Sequence, residues 1–388
     1  MPTFDVVVIG GGIAGISAAA RLSAEGLSVT LLEAEPTLAY HTTGRSAAQF
    51  LENYGNDSVR RLTVATRPFV ESPPPEFADG PILRPRPLLK VGRAGRVDDL
   101  RAEVEHAQQL VPSTEFLDGD QARELLPILR PDVAAALHEP NGMDIDVAGL
   151  HQVSVRWFRS TGGVISASSP VTALSQTGDG WTVVTPNASF STPVVVNAAG
   201  AWGDQVAELG GITPVGLHPL RRTIAIAAIP DSYTDSQRWP LTSFEPDNAP
   251  MSGYAKPEPG GLMVSPADET PSPPCDAKPE EIDVALGLQT LAEWTVLEPR
   301  HVRSTWAGLR TFTADRTPVA GFAPDGPGFF WLVGQGGYGI HTSDGLAQAT
   351  TSLITTGALP RSLLDVGLTE ADLAADRVGL AGPLTPGH

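Results

Sequence analysis

Gly10, Gly12 and Gly15 stand in the order G-x-G-x-x-G within GGGIAG, directly after the apolar run FDVVVIG. That spacing suits a phosphate group. Gly10 makes the tight turn, Gly12 leaves bare backbone for close approach, and Gly15 lets a helix pack closely on a strand. The free N–H groups and dipole of the helix then face the negative charge. Glu33, 18 residues beyond Gly15, is placed to accept a hydrogen bond from a ribose hydroxyl. Strand, turn, helix, strand and acid all occur in order, so a bound dinucleotide is expected over a merely structural turn; FAD and NAD both satisfy the motif. A second group, GQGGYGIHTS (334–343), sets four glycines into six positions before a helical pattern. Glycine costs conformational entropy, so something must approach that backbone: the far end of a long ligand, or a packing partner at a sheet-to-helix turn. Arg310, in WAGLRTF, and Arg222, before TIAIAAI, sit in apolar surroundings that would bury them. A buried guanidinium needs a carboxylate, either from a ligand or from one of the 44 acidic residues. No metal-ligand spacing and no Ser/His/Asp arrangement is found, so no metal is expected.

The elements that must position these residues follow from periodicity. FDVVVIG reads as a parallel strand covered on both faces. IAGISAAARLSAEG carries Ile13, Ile16, Ala20 and Leu22 near helical spacing, with Gly26 as the stop. SVTLLE is a second strand ending at Glu33. The proline-dense stretch 71–92 predicts a loop leading into an edge strand. DIDVAGLHQVSVRWFRSTGG reads as a helix capped by Asp146, with Leu150, Val153 and Trp157 on one face. VISAS, WTVVT and TPVVVNAAG read as strands, RRTIAIAAI and GLMVSPA as strands of a second sheet. FFWLVG runs into the second glycine turn, and SDGLAQATTSLITT is a closing helix. The expected fold class is α/β: a Rossmann-like nucleotide domain built from discontinuous segments (1–52, 140–210 and 306–388), plus an α+β domain with a mixed or antiparallel sheet (53–139 and 211–305).

The chain has 388 residues, 41% apolar and 18% charged, an ordinary globular mix with room for two cores. Its net charge is −18, and an acidic chain without a basic stripe is a poor match for a phosphate backbone, so no nucleic-acid partner is expected. One cysteine, Cys275, excludes an intrachain disulfide and fits a reducing compartment. It lies in a Pro-rich polar stretch read as an exposed loop. No basic region precedes the first apolar run, and no apolar stretch reaches the roughly 20 residues that span a bilayer, so a cytoplasmic protein without a transmembrane segment is expected.

AYHTTGRSAAQF, NAAGAW (197–202), TWAGLRTFTADRTPVAG (305–321) and GQGGYGIHTS together resemble the D-amino-acid oxidase superfamily of flavoproteins. Within it the likeness is greatest to the bacterial FAD-dependent D-arginine dehydrogenases, from Phe4 to about residue 372. The resemblance implies FAD. It places cofactor contacts at Gly10, Gly12, Ile13, Ala14, Gly15, Glu33, Ala34 and Val171; at Thr42, Thr43, Gly44, Arg45, Ser46, Ala47, Ala48 and Gln49; and at Gly336, Gly337, Tyr338, Gly339, Ile340 and His341. Some members of the superfamily attach flavin through a cysteine or histidine. Cys275 lies outside the matching motifs, and His41 sits in a segment resembling a non-covalent branch, so non-covalent FAD is expected.

The resemblance also implies that Arg222 and Arg310 hold the α-carboxylate of a D-amino acid, a task suited to planar bidentate donors. Tyr54 and Tyr254 match pocket tyrosines, although a core role suits a tyrosine equally well. Gly337 matches a position whose carbonyl receives the substrate amine, and His341 stands where the D-arginine enzymes carry glutamine. The family moves a hydride from Cα to flavin, leaving an imino acid that hydrolyses to a 2-oxo acid and ammonia; quinone or oxygen then takes the electrons. Leu88 replaces the glutamate that meets a cationic substrate side chain, and Leu51 replaces a smaller hydroxyl residue. Apolar D-amino acids are therefore expected, unless Glu52 or Glu76 swings into the pocket. Glycine, sarcosine or another N-substituted amino acid is the same-class alternative; an RNA-modifying flavoprotein and a flavoprotein subunit are more distant ones.

Overall fold

The computed structural model describes residues 1–178, 180–247, 253–299 and 301–386. Two large sheets carry the architecture. The first has six strands in the order Val319–Phe322, Phe329–Val333, Val194–Asn197, Val6–Ile9, Val29–Leu32 and Val164–Ser166. Its pairings are parallel except that between Val319–Phe322 and Phe329–Val333. Alternation along Val6–Ile9 shows why this strand is apolar throughout. Val6 and Val8 pack with Ile16, Ala20, Phe158 and Leu346 from the helices Ile13–Ala24, Val147–Ser160 and Ser343–Thr356. Val7 and Ile9 face Trp181, Val183 and Phe190 of a small three-stranded antiparallel sheet on the opposite side. Each fully buried side chain of this size contributes about 1.5–3 kcal/mol, so the central strand is held from both faces.

The second sheet has ten strands and is mixed: Leu88–Gly92 pairs in parallel with Leu241–Glu245, and the other neighbours run antiparallel. Leu88–Gly92 is not an edge strand, as the proline-dense approach suggested. It lies between Leu241–Glu245 and Ala135–Glu139. Pro85 and Pro87 fall just before the paired stretch, so all five strand residues keep their N–H groups for the ladder. The strand Val302–Phe312 belongs to this sheet along its whole length, crossing the 305/306 division drawn from the sequence. The helix Asp57–Glu71, unread in the sequence, sends Leu62 into the helical core of the first sheet and accepts the Gly345 N–H on Thr66 Oγ1 at 2.9 Å. The helix at 147–160 starts as expected, with Asp146 accepting the Gly149 N–H at 2.8 Å. Among the described residues no helix is long and apolar enough to cross a membrane.

Candidate active site

The carboxyl ends of the parallel strands open onto one cavity of about 2140 Å3, closed on its other side by the ten-stranded sheet. Ordinary small-molecule pockets hold roughly 300–1,000 Å3, so this one has room for a long ligand and a smaller second one. Of the site residues expected from the sequence, all line this cavity except Gly15 and Gly44. Those two serve packing: a Cβ on Gly15 would lie 2.0 Å from the Gly10 carbonyl oxygen, and one on Gly44 2.4 Å from that of Ala39.

At the first turn Gly10 has φ +108°, and a Cβ there would lie 2.4 Å from the Ala198 carbonyl oxygen. Only glycine tolerates both constraints. Gly12 begins the helix Ile13–Ala24, and Thr43 Oγ1 accepts the Ile13 N–H at 3.1 Å. Glu33 receives the N–H of Gly11 at 2.7 Å and that of Glu35 at 2.8 Å, one on each oxygen, which leaves lone pairs for a ligand hydroxyl. Buried His151, which the sequence did not single out, fixes the Gly11 carbonyl from Nε2 at 3.0 Å.

At the second turn the glycines make way for protein as well as ligand. A Cβ on Gly336 would fall 2.1 Å from the Phe312 ring, and one on Gly337 2.1 Å from an Arg310 guanidinium nitrogen. Arg310, with its side chain 12% exposed, donates from Nη2 to Tyr54 Oη at 2.5 Å and approaches Glu269 Oε1 at 3.4 Å. Arg222 donates from Nε to the Asp268 carbonyl oxygen at 2.8 Å, stands 3.5 Å from the same Glu269 oxygen, and lies over the Tyr254 ring. The sequence reading missed Glu269 and Arg316. Arg316 grips Glu269 with two bonds, at 3.1 and 2.5 Å. Burial pushes the Glu269 carboxyl up, but the Arg316 bonds and the charges of Arg310, Arg316 and Arg222 outweigh it, leaving it below the usual range.

His341 is buried and faces Gln49, whose carbonyl oxygen lies 3.2 Å from Nδ1. A carbonyl can only accept, so Nδ1 carries the proton and Nε2 offers a lone pair. Burial lowers the His341 pKa to about 4, with the Arg310 charge acting in the same direction. This ring is an acceptor, too weakly basic to store a proton near neutrality. Tyr338, packed edge-on to Tyr54 and Phe312, is pushed up to about 12 by burial, with Tyr54 adding to the shift.

Leu88, Leu51, Leu137 and Leu241 form an apolar wall of the cavity. Register pairs Leu241 with Leu88 and Ser243 with Lys90, so successive residues on one face run from leucine to Ser243 and Lys90 and then to Glu245. Neither Glu52 nor Glu76 lines the cavity. Glu52 is held by Arg67 at 2.7 and 2.8 Å, and Glu76 is exposed. Arg45 ties its guanidinium to Asp276 and to the Ala277 and Ala307 carbonyl oxygens. That tie places Cys275: its loop is exposed as expected and, although outside the matching motifs, lies against the 41–45 segment, sharing a small crevice with His41, Thr42 and Arg45.

A family model described as FAD dependent oxidoreductase (DAO) matches residues 5–353. The chain belongs to this family. FAD is the cofactor of DAO-family enzymes, and the cavity fits it. Gln49 Oε1 and Nε2, Gln335 Nε2 and Thr311 Oγ1 all line it and are buried without a partner among the described residues. Such a group of unmet donors and acceptors suits a heteroaromatic ring with alternating carbonyl and N–H groups. Among relatives, the chain is 22% identical over 93% of its length to rat mitochondrial dimethylglycine dehydrogenase, and 24% identical over 92% to human mitochondrial sarcosine dehydrogenase. It spans less than half of each, 44% and 40%. Among solved structures, L-proline dehydrogenase from P. horikoshii superposes with a TM-score of 0.80 at 20% identity, covering 92% of this chain and 95% of that one. None of these three is a D-arginine enzyme, so the narrower branch suggested by the motifs is not what they share with this DAO-family chain.

Proposed function

We propose that this chain oxidises the Cα–N bond of an amino acid whose α-carboxylate rests on Arg222 and Arg310 and whose apolar side chain meets Leu51, Leu88, Leu137 and Leu241. The observation that carries the reading is the convergence of those two guanidiniums with Tyr54, Gly337 and His341 at one end of a cofactor-sized cavity. In this reading the six-stranded sheet serves the cofactor and the ten-stranded sheet serves the substrate.

Bound FAD supplies the hydride acceptor. The residues of the chain do the rest by orientation. Arg222 and Arg310 fix the carboxylate, and Tyr54 steadies Arg310. The neutral Nε2 of His341 and the Gly337 carbonyl are acceptors for the substrate amine, so the nitrogen lone pair and the Cα–H are aimed together. The leucine wall excludes water and favours apolar side chains, each buried methylene adding about 0.8 kcal/mol. A D-configured substrate is supported by the motif resemblance. The second reading, an N-substituted amino acid, is supported by the names of the relatives, whose substrates carry carbon on the nitrogen. The leucine wall favours the first, because glycine derivatives have no side chain to place there.

Anaerobic mixing with D- and L-leucine, D-phenylalanine, D-arginine, proline, sarcosine and dimethylglycine separates the two. Bleaching of the flavin band fastest with apolar D-amino acids is expected. Fastest bleaching by sarcosine or dimethylglycine would replace the first reading with the second. Oxygen uptake during turnover, compared with reduction of a soluble quinone, assigns the electron acceptor. Non-covalent FAD is part of the proposal: acid precipitation should release yellow colour to the supernatant, whereas colour in the pellet would turn attention to His41 and Cys275.

A further inference from the structure

Three guanidiniums, not two, meet at the substrate end of the cavity. Arg222, Arg310 and Arg316 all reach Glu269, and Glu269 itself lines the cavity. The contacts are unequal. Arg316 holds both oxygens, at 3.1 and 2.5 Å, whereas Arg310 and Arg222 stand back from Oε1 at 3.4 and 3.5 Å. The two arginines assigned to the substrate are therefore near the internal carboxylate without being saturated by it. Backbone on both sides of this pair is held in an unusual shape: Ala267 has φ +55° and Arg316 φ +59°, both left-handed without being glycine. Arg316 is 4% exposed, stacks over the Phe312 ring, and donates from Nε to the Thr385 carbonyl oxygen at 2.7 Å. Asp268 turns its carboxylate to the Thr223 N–H and hydroxyl, at 2.7 and 3.0 Å, and comes no nearer than 3.9 Å to Arg222.

We propose that Glu269 is a built-in carboxylate that limits the substrate anion site to one carboxylate, and that Arg316 is the positioning residue that keeps Glu269 from closing the site on itself. This rests on the reading of Arg222 and Arg310 as the α-carboxylate site. Two carboxylates lie within ion-pair reach of these three guanidiniums, Glu269 for all three and Asp268 for Arg222 alone at 3.9 Å, so the cluster carries one positive charge in excess. A monocarboxylate neutralises it. A second carboxylate beside the first would meet Glu269 with no guanidinium of this cluster left to pair it, and a like charge in a site of reduced dielectric is repelled strongly. Without Arg316, the nearest cations to Glu269 are Arg310 and Arg222. A shift of under an ångström would give it full charge-assisted bonds to both. An internal carboxylate at such an effective concentration would outcompete a free one.

The test uses the FAD-loaded protein and two inert probes, propanoate and malonate, which differ by a methyl group against a carboxylate. Binding is read from the flavin difference spectrum and by calorimetry. Arg316→Asn suits the left-handed backbone, which asparagine tolerates, and Glu269→Gln leaves that backbone untouched. Arg316→Asn should weaken propanoate about ten-fold or more, and adding Glu269→Gln to it should restore affinity to within about three-fold of wild type. Glu269→Gln alone should shift the ratio of malonate to propanoate affinity about ten-fold towards malonate. A purely structural role would weaken both probes together and allow no rescue. The proposal is overturned if the double variant binds propanoate no better than Arg316→Asn, or if Glu269→Gln leaves the ratio unchanged. If Arg310→Met binds propanoate as wild type does, the carboxylate site itself has been misassigned and this inference falls with it.

Discussion

Arg310 is wedged between Gly337, Tyr54 and Phe312, so its guanidinium is fixed before any ligand arrives. That preorganisation makes its removal costly for substrate and not for cofactor. Arg310→Met should retain FAD while losing about 3–5 kcal/mol of transition-state binding, read as two to four decades in kcat/KM. Near-normal kinetics would refute its assignment. Leu88 sets a second expectation. A D-arginine side chain would bring its charge against Leu88, Leu51 and Leu241, where an unpaired cation costs several kcal/mol. kcat/KM for D-leucine should exceed that for D-arginine about ten-fold or more, and Leu88→Glu should narrow or reverse the gap. Wild-type preference for D-arginine would show that Glu245, farther along the same face, reaches the substrate. His341 gives the pH expectation. Its pKa falls from 6.5 to about 4 on folding, so between these values the unfolded chain binds a proton that the folded chain refuses. Stability is therefore complete above pH 6.5 and declines as pH falls towards 4, by roughly 3 kcal/mol from this residue. His341→Gln should flatten the drop in melting temperature between pH 7.5 and pH 5; an unchanged slope would place the acid sensitivity elsewhere.

The turn 334–339 couples two elements, because the strand Val302–Phe312 supplies the side chains that its glycines admit. Gly337→Ala should therefore behave like an arginine variant. The new methyl group would displace the Arg310 guanidinium, raising KM by ten-fold or so while leaving the FAD spectrum intact. Loss of FAD with unchanged KM would show that ligand approach, and not Arg310, fixes this glycine. Such cross-element requirements explain what the sequence revealed and what it withheld. The βαβ start, the strand 194–197 and the closing helix were legible because each is a local pattern with its own stop. The first-turn glycines were legible because their spacing encodes a ligand. Glu269 and Arg316 were not: 47 residues separate them, and each alone reads as an ordinary charge in a polar loop. The interior position of Leu88–Gly92 was hidden for a related reason. Prolines at 85 and 87 suggest an edge, and only the neighbouring Leu241–Glu245, about 150 residues on, reveals that pairing begins beyond them. Helix Asp57–Glu71 went unread despite an Asn56 cap, whose side chain accepts the Val59 N–H at 3.1 Å. Its buried face includes Arg60, Thr63 and Thr66, which blur the apolar stripe.

At the scale of the molecule, one cavity joins the two sheets, with walls from residues 9–10, 12–14, 42–43, 45–49, 88, 222, 224, 241, 308–311 and 335–341. A ligand that bridges so many segments stabilises their common arrangement by mass action. Free FAD at about 100 times its dissociation constant should add about 2.7 kcal/mol to unfolding, seen as a higher melting temperature than the stripped protein shows. Equal melting temperatures would mean that the segments hold together without it. The six-stranded sheet has a consequence for how the protein is made. Val194–Asn197 has its Val6–Ile9 partner already synthesised on one edge, but its other edge belongs to Phe329–Val333. More than a hundred residues must be translated before that edge is covered, and Tyr338 and His341 emerge later still. A nascent chain therefore carries an open, apolar strand edge through much of its synthesis, the condition under which chaperones are recruited and aggregates begin. The cavity that would hold FAD is complete only once residues 335–341 have joined it, so limiting riboflavin during expression should lower the yield of soluble protein.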